Sequence, residues 1–275
     1  MLVKRVKDLN KSDIKDISQD FTSADISVYS GQAAFFLILS FFPFLMFFFS
    51  LLNLTPLTEQ EFMDWVMTIV PSSFHETLEY FTGEIYEGIS GGKITATVVV
   101  AVFMSSKAFV SLERGMNAMY HVKETRNMVK RYLYSMLYSI VFAFLLLSLL
   151  AIMVFGKRLL AQLFQLLPFL EEVVHFRMII CIPILFGFFL LLFVVLPNRK
   201  QRVKQQIPGA ALATAGWLIF SGLFSVYVDK YTRYSSFYGT MTTIALIMVW
   251  HYGCMYVLFV GGFINREIEK KGLFY

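Results

Sequence analysis

The sequence predicts an all-α, polytopic membrane protein with six transmembrane helices, both termini cytoplasmic, and short amphipathic helices in the first external loop. Three observations predict it. Of 275 residues, 57% are hydrophobic and 16% charged, whereas soluble domains run near about 45–50% and about 25%; the mean hydropathy is +0.63. Six apolar runs are long enough for a bilayer core about 30 Å thick, which needs roughly 20 residues at about 1.5 Å each. The 24 lysines and arginines also segregate by loop. Together these exclude a soluble enzyme, and they are the opposite of the low-hydrophobicity, high-charge signature of a disordered scaffold.

The elements follow in order. Residues 1–27 are a charged cytoplasmic segment without the early apolar region of a cleavable signal peptide. Span one, approximately 31–52, carries Gln32, Ser40 and Pro43; the proline removes an intrahelical hydrogen bond and favours a kink, which suits a gate and equally a static bent helix. Residues 53–93 carry seven acids against Lys93 alone. In that loop Phe62, Trp65, Val66 and Ile69, and after Pro71 the residues Phe74, Leu78, Phe81 and Ile85, recur at helical spacing. Two amphipathic helices over the outer mouth are expected, either as a packed cap or as a functional lid.

Span two, 94–112, holds Lys107, the charged residue well inside a span. Its stem can snorkel to the cytoplasmic end. Alternatively Lys107, Ser111 and Arg114, stacked at helical spacing, form a cationic face for an anionic headgroup. Spans three and four, 133–155 and 178–196, offer few polar groups and are expected to face lipid. Span five, 209–228, sets Gly209, Ala213, Gly216 and Gly222 among small residues that let backbones approach closely, which places it in the middle of the bundle. Span six, 240–264, carries His251, an intramembrane titratable group or a neutral, hydrogen-bonded interior histidine. Cys181 and Cys254 lie in apolar runs and read as small buried hydrophobes. A weak internal echo pairs Gly91 and Asn117 with Gly239 and Asn265, and SGQAAF with PGAALA; a parallel repeat of hairpins is one transporter symmetry.

Seventeen basic residues fall in the N-terminal segment, the loops after spans two and four, and the C-terminus; six fall in the alternate loops. That asymmetry puts both termini inside. It reads the net charge of +5 as topology rather than nucleic-acid binding.

The runs ADISVYSGQAAFFLILSFFPFLMFF, SLERGMNAMYHV, PGAALATAGW and YSSFYGTMTTIALIMVWHYGCMYVLFVGGFINREI resemble the YihY/BrkB family of bacterial inner-membrane proteins over nearly the whole chain. The resemblance implies six helices, cytoplasmic termini, a bacterial plasma membrane and an association with the cell envelope. Its typical polar positions fall here on Gln32, Ser40, Pro43, Asn117, Tyr238, Gly239, Trp250 and Asn265. The family once carried a ribonuclease label, against which the sequence argues: His75, His121, His175 and His251 are scattered singly, whereas metal-dependent cleavage needs clustered ligands.

The functional expectation is a non-enzymatic secondary transporter or lipid flippase-like protein for an anionic amphipathic molecule. Lys107, Ser111, Arg114, Gln32, Ser40, Pro43, Asn117, Tyr238, Trp250, His251 and Asn265 are its candidate pathway residues, with membrane lipids as partners and no cofactor, metal or nucleic acid. No P-loop is present to power a pump. The alternative is an envelope assembly or scaffold protein that docks through residues 53–93. An intramembrane enzyme would rest on Ser40 with His251, a pair lacking a third member. Oligomeric state and substrate identity are left open.

Overall fold

A computed structural model describes residues 11–52, 94–144, 177–231 and 239–272, together with 60, 63, 64 and 67; among them every regular element is helical. The helices are α1 (Lys11–Ser23), α2 (Ile26–Leu52), α3 (Ile94–Met119), α4 (residues 128–144), α5 (Arg177–Val195), α6 (Val203–Tyr231) and α7 (Gly239–Lys270). Each of α2, α3, α6 and α7 contains an apolar run and extends beyond it, because the helical hydrogen-bond ladder continues into polar sequence until a cap stops it. The stretches Lys15–Phe41, Val203–Val228 and Ala245–Lys270 are long and apolar enough to cross a membrane, and Ile182–Val195 is a shorter apolar helix. The amphipathic reading of 53–93 falls almost wholly outside the described residues.

The chain divides into two compact units. The first comprises Met1–Ile38, Val110–Asn127 and Phe176–Tyr275. At its centre α6 and α7 lie antiparallel and close. A methyl group added at Gly209 would stand 2.3 Å from the Gly261 carbonyl oxygen, and one at Gly261 would stand 2.8 Å from the Gly209 carbonyl. Backbone thus rests on backbone, as small residues permit between apolar helices. The same seam continues through Gly216 against Val257 and Gly253 against Phe220. It ends where the indole of Trp217 meets that of Trp250 edge-on at 6.0 Å. Phe193 of α5, fully buried, fills the space against Gly261 and Gly262, and Phe259 of α7 lies against Gly115 of α3.

The sequence places span five in the middle of the bundle; the structure differs. One face of α6 is buried, whereas Leu212, Leu218, Ile219, Leu223 and Val226 are exposed on the others. The small residues mark one intimate seam rather than a helix surrounded on all sides. Spans four and three, expected to face lipid, are two-faced as well. Phe189, Leu192 and Phe193 of α5 are buried while Ile182, Ile184, Phe188 and Leu191 are exposed.

The second unit comprises Leu39–Phe109 and Met128–His175. In it α4 buries Ser135, Ser139 and Ala143, spaced four apart, and exposes Leu133, Leu137, Val141 and Phe144. The contact between α4 and the Phe109 end of α3 is aromatic: Phe103 stacks on Tyr132 at 5.9 Å and Phe109 meets Phe142 at 6.0 Å.

Candidate functional site

Polar chemistry in the first unit gathers where α1, the end of α3, the 196–202 turn and the end of α7 meet. Two buried asparagines organise it. Asn265, 1% exposed, accepts a hydrogen bond from the Gly209 backbone N–H at 2.7 Å and donates to the Gln206 carbonyl at 3.3 Å and to the Tyr120 hydroxyl at 3.2 Å. Every hydrogen-bonding atom of its carboxamide is therefore engaged. Pro208, which has no N–H, stands in the chain between the Gln206 carbonyl and the Gly209 N–H, near the start of α6. Tyr120 donates to Gln206 Oε1 at 2.5 Å, Gln206 Nε2 donates to Gln201 Oε1 at 3.0 Å, and Arg199 donates to the same oxygen at 3.2 Å. Arg199 also lies over the Tyr120 ring at 4.9 Å and pairs with Glu269. Burial pushes the Tyr120 phenol above its ordinary value, against the opposing influence of Asn265 and Arg199, so it stays a donor.

Asn117 anchors a second network. Its Oδ1 accepts from the Asn198 backbone N–H at 2.8 Å, and its Nδ2 donates to Glu124 at 3.0 Å. Glu124 in turn receives the Arg126 backbone N–H, Nε and Nη2, and Arg126 Nη2 reaches Glu113 at 2.6 Å. Burial alone would push the Glu124 carboxyl up, but the hydrogen bonds of Arg126 and Glu113 hold it well below its ordinary value.

The turn between the networks has an unusual residue. Val122 N–H donates to the Asn117 carbonyl at 2.8 Å and His121 N–H to that of Ala118 at 3.1 Å, the pattern of a Schellman cap with His121 at its left-handed position. Glycine is the usual occupant; His121 holds φ 51°, a conformation costing about 1–2 kcal/mol for a residue with a Cβ. Burial, then the charge of Arg266, pushes the His121 imidazole below its ordinary value. Nearby, α1 is fastened to α7. Phe21 meets Phe263 edge-on at 5.3 Å, Lys270 donates to Asp20 at 2.9 Å, and Arg266 binds Glu267 at 2.6 Å and reaches Asp20 at 3.4 Å.

The remaining candidates lie elsewhere. Lys107 is half-buried, and its ammonium sits 5.4 Å from the ring centroid of Phe103, one turn back toward the start of α3. That is the opposite direction along α3 from Arg114. Ser111 is buried and Arg114 exposed, which leaves the expected stacked face in unlike surroundings. His251 is half-buried, and its Nδ1 lies 2.9 Å from the Ile247 carbonyl one turn back. Trp250 donates to Ser221 at 3.3 Å and meets the His251 ring edge-on. Cys254 is buried as expected. Gln32 is half-buried and Ser40 buried; Pro43 lies within α2, its surroundings outside the described residues, as are Tyr238 and Gly91 altogether. The echo of SGQAAF in PGAALA does not extend to packing: Gly209 touches Gly261, whereas a methyl at Gly31 would meet nothing within 4 Å.

A sequence model of the family described as virulence factor BrkB matches residues 17–273. The chain belongs to the BrkB family. It is 30% identical over 262 residues to the ribonuclease-like protein YfkH of Bacillus subtilis (strain 168), covering 94% of this chain and 95% of the relative. A UPF0761 membrane protein of Aliivibrio salmonicida (strain LFI1238) is 25% identical over 260 residues, covering 90% of this chain and 79% of the relative. Another, from Vibrio parahaemolyticus, is 23% identical over 271 residues, covering 94% and 82%. No solved structure matches. BrkB relatives are thus named as membrane proteins, in keeping with the apolar helices, and the ribonuclease-like wording belongs to YfkH's name.

Sequence reasoning reached Asn117 and Asn265 and missed Tyr120, Gln206, Arg199 and the Asp20–Arg266 contact. A signal for them was present. The basic loops also contain Glu113, Glu124, Glu267 and Glu269, acids that serve no topological purpose there and are available to pair with loop arginines.

Proposed function

We propose that this BrkB-family chain is a non-enzymatic secondary transporter or lipid flippase-like protein of the bacterial plasma membrane, handling an anionic amphipathic molecule. In this reading six spans cross the bilayer and both termini are cytoplasmic, and the seventeen-to-six division of basic residues supports that orientation. One observation carries the functional reading: an open groove of about 240 Å³ between α2 and α7, lined by Gly31, Ala34, Phe35, Ile38, Met248, Val249 and Tyr252. Its walls are apolar, and the same two helices expose Val28 and Ile247, which suits an acyl chain entering sideways from lipid. Lys107 and Arg114, both on α3, are the proposed cations for the headgroup.

The test is reconstitution of the full chain into liposomes with a labelled anionic lipid. A Cβ at Gly31 meets nothing within 4 Å, so Gly31→Phe extends a ring from an open position into the groove. It should slow movement at least severalfold while leaving the thermal midpoint within a few degrees. No movement above empty vesicles across a broad panel would overturn transport. Loss of partner capture on deleting residues 56–90, with no effect of Gly31→Phe, would favour the envelope scaffold.

A further inference from the structure

We propose that Arg266 and Lys270 form a seat for a phosphoryl oxyanion, which the Asp20 carboxylate occupies in the structure as an internal, displaceable stand-in. The seat is a built one. Arg266 is about nine-tenths buried, its guanidinium lies 4.7 Å from the Phe263 ring centroid, and Nε and Nη2 are directed at Glu267. Its Nη1 is buried with no hydrogen-bond partner. An arginine presents its donors as a planar fork that matches phosphate oxygens; here Nη1 has no acceptor, and Nη2, the nitrogen that Asp20 reaches, is shared with Glu267.

Asp20 fills the position poorly. Its contact with Arg266 is 3.4 Å, beyond the usual range of about 2.7–3.2 Å. Its better partner, Lys270, is 60% exposed, and exposed pairs hold weakly against water. Charge balance supports displacement. Arg266 and Lys270 are offset by Asp20 and Glu267, so withdrawal of Asp20 leaves one positive charge for one incoming anion. Asp20 is part-exposed on α1, so its carboxylate can turn into solvent while that helix stays in place. Phe21 on Phe263 remains as the other clasp between α1 and α7.

His121 belongs to the same place. Its electrostatic neighbours are Arg266, Asp20, Glu267 and Lys270, and it occupies a backbone conformation that glycine would hold without strain. A strained residue where a simpler one fits is an observation from which function is inferred; the imidazole stands within electrostatic reach of the seat. The seat is independent of transport, since binding can be measured without movement across a membrane.

The experiment uses the full chain in zwitterionic nanodiscs. Short-chain phosphatidylglycerol, short-chain phosphatidylcholine and inorganic phosphate are each titrated and followed by thermal midpoint and native mass spectrometry. Asp20→Asn should tighten binding of the anionic probe about fivefold to tenfold, the effect of removing one competing, part-exposed carboxylate charge. Lys270→Gln, at an exposed position that leaves the fold intact, should weaken it. His121→Gly should raise the thermal midpoint by relieving the turn while lowering affinity, a combination that a merely structural role would not give. Response to inorganic phosphate as well as phosphatidylglycerol identifies a free oxyanion as sufficient; response to phosphatidylglycerol alone identifies a lipid headgroup. Equal binding of phosphatidylcholine and phosphatidylglycerol, no binding of any probe, or an Asp20→Asn affinity equal to the parent's would overturn the proposal. Failure of liposome transport with this binding intact would overturn only the transport reading.

Discussion

Replacing Asn265 should cost more stability than any other single neutral substitution in the α6–α7 seam. Its carboxamide makes three hydrogen bonds, one from Gly209 N–H and two to Gln206 and Tyr120. Each contributes a net of about 1 kcal/mol, and a buried donor left unpaired costs about 1–3 kcal/mol. In Asn265→Ala the Gly209 N–H is orphaned and the side-chain volume is vacated, while Tyr120 keeps Gln206. The sum is a loss of about 2–4 kcal/mol. Asn265→Leu restores most of the volume but none of the bonds, and should lose nearly as much. Asn265→Asp keeps an acceptor for Gly209 but turns its second oxygen toward the Gln206 carbonyl and buries a charge, so it should be the least stable of the three. The assay is denaturant or thermal unfolding of the full chain in one detergent, compared variant by variant. A stability of Asn265→Leu within about 0.5 kcal/mol of the parent would show that the residue only fills space, and the hydrogen-bond reasoning would be wrong.

Two glycines in the same helix should respond in opposite directions. Gly209→Ala drives a methyl into the Gly261 carbonyl and Asn265 and should destabilise by at least about 1–3 kcal/mol, whereas Gly222→Ala meets nothing within 4 Å and should stabilise by up to about 1 kcal/mol through helix propensity; parallel thermal unfolding reads both. Glu124→Gln should flatten the acid side of the stability profile. A carboxyl held below its ordinary value contributes stability that is present above the unfolded pKa, near about 4.3, and is lost as pH falls toward the folded one. The parent should therefore weaken from about pH 5 downward while the variant, less stable at pH 7, changes little, as unfolding midpoints between pH 7 and pH 4 would record.

Much of the architecture was legible in the residues because apolar length is a local property. A run of twenty apolar residues declares its solvent whatever surrounds it, and the apolar runs of spans one, two, five and six were each found inside a helix. The ends of those helices were less legible, since a helix stops at a cap and not where hydrophobicity fades. His121 illustrates this: nothing in MYHVKE marks a left-handed residue, and only the bonds to Asn117 and Ala118 reveal it. Pairing was the least legible of all. Asn117 and Asn265 stand out in the sequence, yet their partners Asn198, Gly209 and Tyr120 lie 56 to 145 residues away.

By itself the sequence determined that the protein lives among apolar helices, that its basic residues collect in particular loops, and that it resembles one bacterial family. The tertiary structure decided what those loop charges do. Arg126, Arg199 and Arg266 are paired with carboxylates while Lys200 and Lys204 remain exposed. It also separated Gly31 from Gly209, alike in sequence and opposite in surroundings. The reason is physical: hydropathy sums over neighbours along the chain, whereas a hydrogen bond, an ion pair or a backbone contact depends on which distant residue the fold brings within a few ångströms.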